Sequence, residues 1–364
     1  MPPIGTTIAA TVALGVGIAL ARAGRERLAA WRSQPPELAL QGDEPLEQGL
    51  KRMALEQLDL AIDELGGFDG RAPDEDAVHE TRKALKRLRA LLRMLDAAIG
   101  KKAFARETAQ LRDVAKKLSG ARDAEVMLAT LDRLIEHNGR KLSSSAGVKK
   151  LRGQLEREHE LARAQTLGDA RTLAHVLGEL RVCRVRVEGW QLPPGNGLEI
   201  AAPGLERLYD QGRKRYRRAA AGKGEPVLTM HEWRKRVKDL RYLAEMLQQR
   251  EPALAGALPS AVSKPARKRR DRARASSKLL RDVARRADTL GEVLGEDHDL
   301  AMLAQVARRK RERHGRHLKL GRRARKRLLR VIERRRRKLR RRALREGQRL
   351  YRPTPKKLLR RVRR

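Results

Sequence analysis

The sequence predicts an all-α protein, and three observations support this class. Long stretches between the Gly and Pro clusters are rich in Ala, Leu, Arg, Lys and Glu, which are strong helix formers. Alternation of β-branched or aromatic residues, which would indicate strands, is scarce, and aromatic residues make up only 2% of the chain. One amphipathic pattern occurs twice, as VHETRKALKRLRALLRML at residues 78–95 and MHEWRKRVKDLRYLAEML at residues 230–247. The repeat indicates a helical fold made of two similar halves.

The first half contains a series of predicted helices that begins with residues 45–65. The loop GGFDGRAPDED ends this helix at Gly66, and Asp74 and Asp76 are candidate caps for the next helix, which carries the first repeat copy. Further helical patterns cover residues 103–117, 122–137, 148–166 and 169–190. The sequence LPPGNG at residues 192–197 is the strongest break in the chain, so we place the boundary between the halves there.

The second half follows the same order. APGLERLYDQGRKRYRRAAA corresponds to the first helix and places Gly204 beside Gly49, and the second repeat copy begins near Val227. The element LGEDHDLAML parallels LSGARDAEVML of the first half, which aligns Asp299 with Asp123. The chain ends in an arginine-dense helical region.

One basic stretch, residues 263–278, has no counterpart in the first half. Its low complexity indicates an inserted loop or a poorly packed helix. The predicted organisation is an N-terminal segment and linker, followed by a helical body made of two half-bundles that contains this insertion. The N-terminal segment and linker cover residues 1–42, and the helical body covers residues 43–362. Its half-bundles are residues 43–192 and 198–362, and the insertion is about 263–278.

The net charge of +41, from 86 Lys and Arg against 45 Asp and Glu, indicates an anionic partner. A field of this size attracts DNA, RNA, anionic lipid or inorganic polyphosphate. A generally arginine-rich proteome is the alternative explanation. The single cysteine, Cys183, excludes disulfides within the chain and multi-cysteine metal sites; it fits a reducing, cytoplasmic compartment and indicates a small buried residue.

The N-terminal run, residues 1–21, carries no charged side chain, and arginines follow it. Three interpretations are open: a membrane or membrane-surface anchor through residues 4–21, an extension or helix docked on the body, or a cleaved signal. If the run spans a membrane, the arginines after it place the body in the cytoplasm.

The two repeat copies each form a helix with one cationic face and one leucine-rich face. At about 100° per residue, the histidine, arginine and lysine positions of each copy fall on one side. Such a face is usually just solvated. However, a solvated face normally mixes charges of both signs, whereas these faces are almost purely cationic and keep each residue type at the same offset. We therefore interpret them as anion-binding faces.

The pattern H-x-x-R-K-x-x-K-x-x-R within a two-fold helical repeat resembles the CHAD family, the conserved-histidine α-helical domain. LGEDHDLA and GQRLYRPTPKKLLRRV resemble two further elements of that family. The insertion, the apolar N-terminus and Asp123-Ala124, where the family pattern has Asp-Leu, depart from it. The resemblance implies two helical bundles related by pseudo-two-fold symmetry around a basic central groove or pore. It also implies inorganic polyphosphate as partner and an association with polyphosphate granules.

The resemblance also implies roles for the matched residues. The predicted polyphosphate-binding set is His79, Arg82, Lys83, Lys86, Arg89, His231, Arg234, Lys235, Lys238 and Arg241, with Arg52, Lys214 and Arg217 as further candidates. A histidine among so many cations is expected to be neutral at pH 7.

We expect no catalysis, no metal site and no cofactor. His298-Asp299 matches the HD pair of metal phosphohydrolases, but without a further series of ligands Asp299 is better explained as a helix N-cap or an arginine partner. Non-specific binding of RNA or DNA is the main alternative function, because the arginine-rich insertion and tail could bind any polyanion. The few aromatic residues argue against a base-stacking surface.

Overall fold

A computed structural model describes residues 38–41, 44–66, 73–138, 140–194, 198–248, 264–308 and 320–363. These residues are mostly helical and contain no β-strand, which confirms the all-α class. The pseudo-two-fold relation and the domain boundaries stay predictions. The apolar run, residues 1–21, lies outside the described residues, and none of the helices within them is both long and apolar enough to cross a bilayer.

The first half contains seven described helices, and their bounds agree with the predicted ones to within about two residues at most ends. Asp74 is the N-cap of the repeat helix, because its Oδ1 accepts a hydrogen bond from the Ala77 N–H at 2.8 Å. The helices are α1 (Leu46–Gly66), α2 (Glu75–Ile99), α3 (Lys101–Lys117), α4 (Gly120–Asn138), α5 (Arg140–Ser143), α6 (Ala146–Gly168) and α7 (Ala170–Glu188).

The second half contains fewer and longer described helices. They are α8 (Ala202–Ala220), α9 (Pro226–Met246), α10 (Lys264–Arg308), α11 (Arg322–Leu350) and α12 (Pro355–Val362). The loop interpretation of the insertion is wrong, because residues 264–278 form the first turns of α10. This 45-residue helix is about 67 Å long at about 1.5 Å per residue. Arg, Lys and Ala dominate the segment and are good helix formers.

Helices α2 and α9, which carry the two repeat copies, pack against each other. Their apolar faces are buried as predicted, with Leu88 and Leu92 of α2 and Leu240 of α9 essentially inaccessible to solvent. Helix α8 approaches α2 very closely at Gly204, where a β-carbon would lie 2.1 Å from the Met94 carbonyl oxygen. Because that obstacle is backbone, only glycine allows this helix spacing.

Cys183 is buried, as predicted. Its thiol donates a hydrogen bond to Glu107 Oε2 at 3.3 Å, and Arg186 binds both oxygens of the same carboxylate. Burial raises the pKa of the Cys183 thiol, with a further contribution from the Glu107 charge. The cysteine is therefore unreactive and belongs to the packing of α3 against α7.

The C-terminal helix closes the second half. α12 packs against α8 and α10, and the Ser276 hydroxyl donates to the Val362 carbonyl at 2.7 Å. The buried Tyr209 hydroxyl lies within hydrogen-bond distance of two carbonyls, Leu350 at 3.0 Å and Pro353 at 3.1 Å. The last residues of the chain thus complete the environment of α8.

Candidate anion-binding site

Lys86 of α2 and Lys238 of α9 occupy matching positions in the two repeat copies, and the structure brings them together. Burial lowers the pKa of Lys86 to about 8, and the charges of Arg82, Arg234 and Arg122 lower it further. Burial likewise lowers the pKa of Lys238 to about 7, with contributions from Arg234 and Lys86. Charges of one copy therefore act directly on the other.

We call the side chains that meet here the cationic cluster. Two carboxylates accompany them, Asp123 near Arg82 and Asp299 near Arg234. The cationic side chains outnumber these two acids, which leaves an excess of positive charge in a half-buried setting. The members of the cationic cluster are Arg82, Lys86, Arg122, Arg234 and Lys238.

Arg82 is held in place by the first half of the chain. Its Nη1 donates to the Leu118 carbonyl at 2.7 Å and its Nη2 to Asp123 Oδ1 at 3.4 Å. Arg234 has a looser environment, because its buried Nε has no hydrogen-bond partner among the described residues. Burial lowers the pKa of both guanidinium groups. An unsatisfied buried guanidinium N–H costs free energy, which a hydrogen bond to an anionic oxygen would recover.

Asp299 lies within α10, so its predicted N-cap role is wrong. Its charge acts on Arg234, which agrees with the alternative role as an arginine partner. Burial raises the pKa of Asp299, while the charges of Arg234, Arg133 and Lys238 lower it. Asp123 and Asp299, which the sequence alignment pairs, thus stand beside the equivalent arginines of the two copies.

The two repeat histidines are half-buried and less basic than usual. Burial lowers the pKa of His79, and so does the charge of Arg122. Burial also lowers the pKa of His231, together with Lys235 and Arg234. Both histidines are therefore neutral at pH 7, in line with the sequence-based expectation.

The His231 ring lies 4.3 Å, between ring centroids, from the ring of His298. Burial lowers the pKa of His298 to about 4, and the charge of His231 lowers it further. The described residues contain no group of three His, Cys, Asp or Glu side chains that could hold a metal ion.

Several other predicted binding residues are already engaged with carboxylates. Lys83 pairs with Glu80 at 2.8 Å, and Lys235 pairs with Glu232 at the equivalent position. Arg241 binds Glu245 and Asp288. These carboxylates offset much of the positive charge of the three residues, although the charge of Arg241 still contributes to the lowered pKa of Lys238.

The three candidates outside the repeat also differ from the cluster. Arg52 donates to Glu44, Glu56 and the Ala39 carbonyl, which satisfies its guanidinium. Lys214 is exposed and pairs with Asp210 at 2.8 Å, and Arg217 is exposed on α8. Arg89 lies further along α2, and the charges of Arg93 and Asp239 act on it. These two residues form an ion pair between α2 and α9, with Arg93 Nη1 3.1 Å from Asp239 Oδ1.

Sequence reasoning missed Arg122 and His298 as members of the site. The alignment of Asp123 with Asp299 places these two residues at the same position, one before the aspartate. Each lies near the repeat histidine of its own half: in addition to burial, the charge of Arg122 lowers the pKa of His79, and the His298 ring contacts the His231 ring in a tilted arrangement. The alignment of the two halves could therefore have identified both residues. It did not, because the aligned position is arginine in the first half and histidine in the second.

We expect the free protein to become more stable between about pH 7 and pH 9. In this window the folded protein releases the Lys86 and Lys238 protons, while the unfolded chain, with pKa values near 10.5, keeps them. The free energy of unfolding then rises by up to about 1.4 kcal/mol per pH unit for each lysine. Urea unfolding midpoints at several pH values measure this slope.

The control is the Lys86→Met, Lys238→Met variant, which should lose most of the slope. Above about pH 9 the raised pKa of Cys183 acts in the opposite direction, so the comparison ends there. An equal slope in the variant would show that other groups cause the pH dependence.

The chain is similar to a known protein family and to a solved structure. The family model of the CHAD domain matches residues 52–308, which include both repeat copies and the cationic cluster. The solved structure of PptA from Streptomyces chartreusis is similar with a TM-score of 0.50 at 15% identity, over 85% of this chain and 100% of that chain. That likeness concerns the fold alone. No curated protein matches the chain. Because the family model covers most of the sequence, this chain belongs to the CHAD domain family.

Proposed function

We propose that this protein binds inorganic polyphosphate at the cationic cluster, without catalysis, and that it acts at polyphosphate granules in the cytoplasm. The observation that supports the proposal most strongly is the meeting of Lys86, Lys238 and Arg234 from the two repeat copies in a partly buried place. Family membership supports the same ligand class.

The lowered lysine pKa values indicate a site in which positive charge is concentrated and an anion would be stabilised. A lysine whose pKa is about 7 is poorly solvated and surrounded by like charge. A phosphate chain supplies negative charge along its whole length, so its binding restores the charged form of both lysines. Arginine adds forked donors to phosphate oxygens. The unpartnered Nε of Arg234 is one such donor.

The histidines have a hydrogen-bonding role in this proposal. A neutral imidazole adds no charge at pH 7 but can donate one N–H to a phosphate oxygen. Nδ1 of His231 is buried without a hydrogen-bond partner among the described residues, so this ring has unused hydrogen-bonding capacity. Positioning of the chain, rather than acid–base chemistry, is therefore the function we propose for these rings.

A competition experiment tests the proposal. Labelled long-chain polyphosphate is bound to the protein and challenged with tRNA and with duplex DNA, at matched phosphate concentration and about physiological salt. We expect polyphosphate to stay bound, because the cationic cluster is partly buried and a thin, flexible chain reaches buried lysines more easily than a rigid duplex does. Displacement of polyphosphate at equal phosphate concentration would refute the proposal.

A further inference from the structure

Helix α11 carries a straight row of arginines on its solvent side. At about 100° per residue, seven of them fall within about 40° of one line along the helix, and one of the seven, Arg327, has an interaction partner. The other six form the row. All six are exposed. The row extends for about 33 Å, at about 1.5 Å per residue. We call it the outer arginine row; its members are Arg323, Arg330, Arg334, Arg337, Arg341 and Arg345.

The opposite face of α11 packs against the body of the protein. Leu328, Ile332 and Leu339 are buried there. The arginines on that side have carboxylate partners: Arg336 binds Asp297 at 3.0 Å, and Arg335 binds Glu296 at 2.6 Å. These inward-facing arginines therefore form ion pairs that hold α11 against α10.

The outer arginine row has no such partners. None of its six side chains forms an ion pair or hydrogen bond with any residue that the structure describes, and the two acids of α11, Glu333 and Glu346, pair with Arg336 and Arg349. A solvated helix face normally mixes charges to limit repulsion between neighbours three and four residues apart. The unrelieved repulsion along this row is evidence for an anionic partner.

The shape of the row favours a rigid partner. The row lies on an exposed helix, so a ligand contacts it from one side only. A flexible chain would lose conformational entropy when it is laid straight along such a surface, with no enclosure in return. A nucleic acid duplex is already straight and carries about one charge per 1.7 Å of its axis, so it can contact several guanidinium groups at once without this cost.

Two further observations favour a duplex over a single strand or a membrane. The row contains no aromatic side chain on which unpaired bases could stack. The apolar residues of α11 are buried in the core or packed against it, so the helix has no free hydrophobic face to insert among lipids. The phosphate backbone of a duplex needs neither feature, because its bases are already stacked inside.

We infer that the outer arginine row is a second binding site, which takes the phosphate backbone of double-stranded nucleic acid without reading its sequence. It lies on a different helix from the cationic cluster of α2, α4 and α9. The protein then holds a flexible polyanion at one site and a rigid one at the other. This inference stands independently of the polyphosphate proposal.

The test compares full-length variants by fluorescence anisotropy with a labelled 30-base-pair duplex at several salt concentrations. Replacing Arg330, Arg334, Arg337 and Arg341 with glutamine should raise the dissociation constant at least about tenfold and reduce the salt slope by about 3 to 4. Glutamine is a comparable helix former, and these side chains are exposed, so circular dichroism should show an unchanged fold. Polyphosphate binding by the same variant should change less than about threefold.

The matched control removes the same number of charges elsewhere. Lys101 and Lys102 of α3 and Arg171 and Arg181 of α7 are exposed, and their replacement by glutamine should leave duplex binding nearly unchanged. An equal loss in this control would show that only total charge matters. An equal loss of polyphosphate binding in the α11 variant, or of duplex binding when Lys86 and Lys238 are replaced, would also overturn the inference.

Discussion

A protein with Lys86→Glu and Lys238→Glu should lose its affinity for polyphosphate by at least about 100-fold, which corresponds to about 2.7 kcal/mol. Each change replaces a positive charge with a negative one, so the net charge falls by four where the two repeat copies meet. They also bring two carboxylates into the reach of the phosphate chain. Isothermal titration with long-chain polyphosphate at about physiological salt measures the loss.

The same variant should remain folded. The charges of Arg82, Arg122 and Arg234 now repel Lys86, and those of Arg234 and Arg241 repel Lys238. A carboxylate at either position replaces this repulsion with attraction. The thermal midpoint should therefore stay equal or rise. A loss of binding with an unchanged or raised midpoint can only come from the site, and a fall of several degrees would contradict our description of the cluster.

Two control variants test whether polyphosphate binds at the cationic cluster rather than elsewhere on the protein. Lys83→Glu with Lys235→Glu makes the same charge change on the same two helices, at residues that already pair with Glu80 and Glu232. We expect a loss of less than about tenfold there. Neutralising the exposed Arg267, Arg272 and Arg274 at the start of α10 should cost less still. The opposite ranking would favour non-specific binding by the arginine-rich segments.

Gly204→Ala should destabilise the protein by about 3 kcal/mol or more. The added β-carbon would meet the Met94 carbonyl oxygen at 2.1 Å and the Met94 Cα at 2.6 Å. Backbone cannot rotate away as a side chain can, so α8 and α2 must separate and leave their contact poorly packed. Urea unfolding, followed by circular dichroism, measures the change in midpoint.

Gly49→Ala is the matched control, because the sequence aligns Gly49 with Gly204. Its β-carbon would meet only the ends of the Glu44 and Leu40 side chains, at 2.7 Å each. Those groups can move, and alanine favours a helix by about 1 kcal/mol, so we expect a change within about 1 kcal/mol. Equal effects at both glycines would show that α8 and α2 are not in backbone contact.

Much of the fold was predictable because helix periodicity and punctuation are local signals. The Asp74 cap, the breaks near residues 66 and 192–197, and the leucine faces of α2 and α9 all follow from nearest neighbours along the chain. The alternative of a loop at residues 263–278 was wrong, because low complexity describes composition and does not separate a basic loop from a basic helix.

The site was predictable only in part, because sequence position does not show which cations already have partners. Lys86 and Lys83 lie on the same cationic face of α2, about 60° apart on a helical wheel. Packing of α9 against α2 buries the first, while Glu80 pairs with the second. Arg52 looked like a free cation, yet Glu44 and Glu56 bind it. Such distinctions depend on tertiary contacts and on acids elsewhere in the chain.

The contact of α8 with the end of α11 and the segment that follows it also has a consequence for the order in which contacts form during synthesis. On the ribosome, Tyr209 emerges long before the carbonyls of Leu350 and Pro353 that it contacts. At about 5–20 residues per second this delay is roughly 7 to 28 seconds. Throughout this delay, the Tyr209 hydroxyl lacks both of these hydrogen-bond acceptors. The contacts of α8 with the end of α11 and the segment that follows it therefore form late during synthesis.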